Sequence, residues 1–166
     1  LRMGDPLLRQ QAQPVMDCQA PHLVELVADL QDTMEANSGA GLAAPQIGIP
    51  LRVVIFGGGG HNLRYPDAPP VPFTVLINPE LTPLGEERAL GWEGCLSVPG
   101  LRGEVKRWNR LRYCGWTPEG SWLDRTVDGF HARVVQHECD HLDGVLFPDR
   151  LDTPQAFGFI PELEQA

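Results

Sequence analysis

Gln136-His137-Glu138-Cys139-Asp140-His141-Leu142 carries His-Glu-x-x-His, and its reading decides the rest of the chain. Four residues apart on a helix, His137 and His141 stand on one face, one turn from each other. That spacing lets two imidazoles grip one small metal ion, with Glu138 placed to take a proton from water on that metal. At about 100° per residue, Phe130, Val134, His137 and His141 fall within roughly 60° of one another, with Glu138 at the edge of the sector. Ala132, Val135, Cys139 and Leu142 form a row on the far side. Cys139 therefore faces the core despite lying between the histidines in sequence. Two histidines do not close a site, so a third ligand has to come from elsewhere.

Four readings compete for the motif. It can be chance, since three fixed residues in five recur by accident. It can be a structural metal site, but such sites prefer four closed ligands and have no use for Glu138. It can belong to a metalloprotease, because Gly144 extends it to His-Glu-x-x-His-x-x-Gly; the third histidine of that pattern is here Phe147, which leaves Glu162 or Glu164 as ligand. It can take Cys95 as third ligand, giving two nitrogens, one sulfur and an open position. Cys95 follows Glu93-Gly94 and precedes Leu96-Ser97-Val98-Pro99. Gly94 permits an irregular turn, and Pro99 is expected to interrupt any following central strand. Cys18 and Cys114 read as structural. Gly39–Gln46 reads either as a plain helix exit or as a loop whose glycines admit a ligand close to the backbone, with the Gln46 amide available to a developing oxyanion.

Further out, Pro21 opens a helix whose apolar positions are Leu23, Leu26, Val27, Leu30 and Met34, with Asn37-Ser38-Gly39 as its stop. Leu51–Phe56 and Phe73–Asn78 read as strands, joined by a long loop from Gly57 through a Pro-rich stretch to Pro72. Pro79–Leu90 reads as a turn-rich connection. Val105–Trp116 and Ser121–Val127 read as a hairpin about Thr117–Gly120. The motif helix runs from about Gly129 to Asp143, capped by Gly144. Residues 1–20 form an extended arm, and the tail with Phe147, Phe157, Phe159 and Ile160 packs back on the body. The expected fold is α+β: one domain over residues 1–166, with antiparallel β-sheets around a central, C-terminal metal-binding helix and a second helix near the N-terminus.

Bulk properties narrow the function. A length of 166 residues suffices for one real core. A net charge of −9 argues against nucleic acid. No apolar run approaches the ~20 residues of a membrane span, and no secretory leader is read. Four cysteines without a C-x-x-C pair suit a reducing compartment. The chain opens on Leu1 and not on Met, so residues are expected to be missing from its natural N-terminus.

Gly39–Gln46, Glu93–Ser97 and Gln136–His141 together resemble peptide deformylase, whose motifs Gly-x-Gly-x-Ala-Ala-x-Gln, Glu-Gly-Cys-x-Ser and Gln-His-Glu-x-x-His occur in this order. Arg2–Arg9 extends the likeness to nearly the whole chain. The resemblance implies Cys95, His137 and His141 as metal ligands, Glu138 as general base and acid, and Gln46 with the Leu96 backbone N–H around the oxyanion. It implies one divalent ion per chain, Fe²⁺ natively, with Zn²⁺, Ni²⁺ or Co²⁺ also able to serve. The implied substrate is an N-formyl-methionyl peptide in the cytoplasm of a bacterium, deformylated to release formate. Gly39, Ala40, Gly41 and Glu93 are expected against that substrate, and Phe130 and Val134 against its methionine side chain. A transient ribosome contact is implied too, although Phe159–Ala166 is short and acidic where some bacterial members carry a long basic helix. A proteolytic metallohydrolase and a metal-bearing module without turnover are the other classes; cleavage of internal peptide bonds would mark the first, loss of Glu138, Gln46 or Cys95 the second.

Overall fold

The structure is a computed structural model and describes all residues except 59–64, 66, 164 and 166. In chain order it runs helix α1 (Pro21–Ala36), strands β1 (Gly41–Ala43), β2 (Val53–Phe56), β3 (Thr74–Pro83), β4 (Arg88–Cys95), β5 (Val98–Trp108), β6 (Arg110–Trp116) and β7 (Trp122–Asp128). Helix α2 (Gly129–Leu142), strand β8 (Phe157–Phe159) and the single turn α3 (Ile160–Leu163) complete it. Successive side chains on a strand leave by opposite faces. In β2, Val53 and Ile55 join a core cluster with Leu23, Leu26 and Leu30 of α1, while Val54 and Phe56 join Val134, Val135 and Leu142 of α2. Four fully buried residues in a row therefore demand cover on both sides, and the two helices supply it.

The large sheet has the order β1-β2-β3-β6-β7 and the small one β4-β5-β8, all antiparallel. Helix α2 is central: its buried positions include Ala132, Val134, Val135, His137, Glu138, Cys139, His141 and Leu142. It ends as a Schellman motif, with Val145 N–H on Asp140 O and Gly144 N–H on His141 O. Gly144 has φ 71°, and a Cβ there would lie 2.5 Å from Arg9 O, so the cap read from the sequence also admits the N-terminal arm. That arm bonds Leu142 O through Ala12 N–H and Pro50 O through Gln13 N–H, each at 2.8 Å.

Three expectations change. Pro79–Leu90 is not one connection, because β3 continues to Pro83 and β4 starts at Arg88. Asn78 (φ 50°) and Pro79 sit at a register shift between Ile77 and Glu80, so the missing proline N–H falls where the ladder is already broken. The Asn78 amide meets both Val15 N and Val15 O at 2.8 Å, pinning the arm. Second, Val105–Trp116 is two strands. The chain changes sheets at Asn109, whose N–H bonds Glu87 O and whose carbonyl accepts from Gly129 N–H. Third, Pro99 lies inside β5, in the irregularity between the pairs Cys95–Val98 and Gly94–Arg102. The tail packs as expected through Phe147 and Phe157, but Phe159 is 59% exposed. Part of the Gly57–Pro72 loop falls outside the described residues, and no described helix is long and apolar enough to cross a membrane.

Candidate metal centre

The β4–β5 hairpin turns at Cys95-Leu96-Ser97-Val98 and delivers the Cys95 thiol to the face of α2 that carries the histidines. One ligand atom each from Cys95, His137 and His141 lie within 4.8 Å of one another. Cys95 Sγ is 3.4 Å from His141 Nε2 and accepts from Ser97 N–H at 3.4 Å. Exposures of 3%, 9% and 2% put all three out of bulk water. Burial pushes the Cys95 thiol up, but the His141 and His137 imidazoles outweigh it and hold the group well below the usual thiol value. Cys139 stands in the apolar core beside Val135 and Leu142, where burial raises its thiol strongly. Phe147 is likewise a core ring, stacked 6.3 Å from His137, at the position where a metalloprotease would need a histidine.

One buried carboxylate orients the first of the two histidines. Glu93 is 2% exposed, and its Oε2 accepts His137 Nδ1–H at 2.9 Å, which leaves Nε2 of that ring for the metal side. Arg107 meets both Glu93 oxygens at 2.9 Å, and Arg133 Nη1 meets Oε1 at 2.8 Å. Arg107 also reaches Asp140 at 2.5 Å, which Arg150 clamps at 2.6 and 2.7 Å. Burial raises the Glu93 carboxyl, yet Arg107 and His137 together hold it far below the usual carboxylate range. Glu93 thus borders the pocket with both oxygens bonded to protein. Neither arginine was read from the sequence. Parity could have found Arg107, since it stands two residues from buried Val105 and so points inward, where an arginine needs an acid.

Glu138 lacks this satisfaction, as does His141 Nδ1, which is buried with no hydrogen-bond partner among the described residues. Burial pushes the Glu138 carboxyl up to about 7, against the pull of His137 and His141, and Oε2 has no hydrogen-bond partner among the described residues. An orphaned buried oxygen is costly unless the site supplies a cation or a reacting partner, so a metal beside it fits the residues present. Its place is fixed by β1. A Cβ at Gly41 would lie 2.5 Å from Glu138 Oε1 and 2.6 Å from Cδ, so only glycine leaves the carboxylate room. Gly41→Ala is expected to keep the metal and to lower turnover ~10-fold or more through the displaced carboxylate; parallel metal analysis and a formate-release assay check both.

Gln46 lies on a 3-10 turn (Ala44–Ile47) after β1. Its Oε1 accepts Ala43 N–H at 2.9 Å, which turns the NH₂ toward Ser97 Oγ at 3.0 Å and Cys95 Sγ at 3.5 Å. A pocket opens beside the centre and gathers Ala40, Gly41, Gln46, Glu93, Cys95, Leu96, Phe130, Val134, His137 and Glu138. Tyr65 and Arg133 join them without having been singled out in the sequence, and so does Gly94, which the sequence marked for its turn alone. Gly39 does not line it; a Cβ there would meet Met34 and Leu96 at 3.1 and 3.2 Å, so this glycine serves packing. His141, 2% exposed, does not line the pocket.

Residues 1–157 match the family model described as Polypeptide deformylase. Over its full length the chain is 60% identical to Peptide deformylase 1 of Prochlorococcus marinus (strain MIT 9313) and covers 86% of that protein. It is also 60% identical to Peptide deformylase 1 of Nitrosomonas europaea, over 98% of this chain and 92% of that one. Among solved structures, the Met-Ala-Ser-bound class I type b peptide deformylase of Acinetobacter baumannii superposes with TM-score 0.85 at 40% identity, covering 90% of this chain and 95% of that one. Peptide deformylase of Thermotoga maritima gives 0.80 at 34% identity, covering 92% and 95%. The chain belongs to the polypeptide deformylase family, metal-dependent hydrolases that remove the formyl group from the N-terminal methionine of new peptides.

Proposed function

We propose that this chain deformylates N-formyl-methionyl peptides with a metal held by Cys95, His137 and His141 and with Glu138 as the proton carrier. The observation that carries the reading is the cluster of three buried donor atoms within 4.8 Å, flanked by a carboxylate oxygen with no partner among the described residues. A divalent ion in that donor set, Fe²⁺ by family resemblance and Zn²⁺, Ni²⁺ or Co²⁺ as substitutes, supplies a Lewis acid that makes water acidic enough to act near neutral pH. Glu138 takes the proton from the attacking water and returns it to the leaving amine nitrogen. Gln46, its carboxamide oriented by Ala43 N–H, offers its NH₂ to the oxyanion, with Leu96 N–H as the second donor. Glu93 acts through His137 and positions it, and the Gly41 backbone lets substrate and Glu138 approach. Phe130 and Val134, on the helix face of the histidines, receive the methionine side chain, an unbranched and polarisable group suited to an apolar wall.

A substrate made on the ribosome calls for a cytoplasmic enzyme that touches the ribosome transiently. Glu138→Gln tests the chemistry. It keeps size and polarity but cannot accept the water proton, so metal content should stay near wild type while turnover on a formyl-Met peptide falls at least ~10²-fold. Unchanged turnover would remove Glu138 from the mechanism.

A further inference from the structure

Tyr65 stands in the pocket wall on three contacts. Its ring lies 5.0 Å from Phe130 at 50°. The Arg102 guanidinium also sits over the ring, 5.0 Å from its centroid. Its hydroxyl accepts the Gly94 N–H at 3.0 Å. β4 is an edge strand of the small sheet, and a donor that reaches Tyr65 points away from β5. The hydroxyl therefore moors the ring on the backbone unit next to Cys95. A ring that packs on a second ring and is itself held by a cation and a backbone bond makes a more rigid wall than a single half-buried phenylalanine.

We propose that Tyr65 is a specificity-determining residue of the deformylase site. With Phe130 it sets the width of the pocket that takes the first side chain of the formyl peptide, favouring a slender chain over a ring. The inference rests on the reading that Phe130 and Val134 line the methionine pocket. Removing the tyrosine ring widens that pocket beside Phe130 without touching a metal donor or Glu138. Removing only the hydroxyl keeps the ring and loosens its mooring to Gly94.

The test compares kcat/KM for formyl-Met, formyl-Phe and formyl-Gly peptides in wild type, Tyr65→Ala, Tyr65→Phe and Val134→Asp, each with its metal content measured. In Tyr65→Ala the formyl-Phe to formyl-Met ratio should rise ~10-fold or more, through KM. In Tyr65→Phe the ratio should move the same way by a smaller factor. Val134→Asp puts an unpaired carboxylate against the wall and should lower the formyl-Met to formyl-Gly ratio. If Val134→Asp shifts its ratio and Tyr65→Ala does not, the role of Tyr65 is wrong while the pocket stands. If neither variant shifts a ratio, the methionine lies elsewhere and both readings fall. A uniform loss on all three peptides in Tyr65→Ala would make Tyr65 a structural residue and overturn the proposal.

Discussion

Cys95→Ser is expected to leave a folded protein that has lost most of its metal. Serine is a poor alkoxide donor at neutral pH, whereas cysteine binds metal as a thiolate, and the imidazole neighbours of Cys95 lower its thiol in that direction. Zinc sites bind with roughly 10–16 kcal/mol over three or four protein ligands, so one ligand carries roughly 3–5 kcal/mol. That corresponds to a factor of ~10²–10⁴ in metal affinity. Cys139→Ala is the matched control. It removes a thiol of the same α2 helix, 7% exposed and surrounded by Val135 and Leu142, and should keep the full metal content. Metal per chain after gel filtration, together with formate release, reads the outcome. Metal loss in Cys139→Ala with retention in Cys95→Ser would reverse the ligand assignment.

The contrast between these two cysteines shows what a sequence makes legible. Cys139 lies between the histidines in the chain, yet the 100° step of a helix turns it to the opposite row, and it is indeed in the core. Glu138, Gln46 and Cys95 were readable because chemistry fixes their types and the motifs fix their spacing. Helix α1 was readable from apolar periodicity, and β2, expected over Leu51–Phe56, from its apolar run. Asn78-Pro79 and Asn109 were not. A proline in a strand normally argues for its end, and only the pairing partner reveals that Pro79 falls at a register shift. Nothing local to Asn109 says that one extended run feeds two different sheets. Tyr65 was hidden for a related reason: its hydrogen bond, ring partner and cation come from β4, α2 and β5, none of them near it in sequence.

Glu93 joins these two kinds of information. Its place beside Cys95 was legible, but its partners come from β5 and α2. Glu93→Leu removes the anion shared by Arg107, Arg133 and His137 and leaves two guanidinium groups, 4% and 11% exposed, short of a counter-charge. Breaking a buried ion pair from one side costs about 3–5 kcal/mol, and stability should fall by that order in urea unfolding of the metal-loaded protein. Metal affinity should fall as well, by roughly 10–100-fold, because His137 loses the acceptor that fixes its tautomer and ring angle. Glu93→Gln separates the two effects. Its carbonyl oxygen can still accept from His137 Nδ1–H, so metal affinity should recover more than stability does. The double variant Glu93→Leu/Arg107→Met should be less destabilised than the sum of its single changes, since it removes a charge together with its main partner. Additive losses in that cycle, or a Glu93→Leu protein that unfolds at the wild-type urea midpoint, would show that the network around Glu93 carries neither the fold nor the histidine.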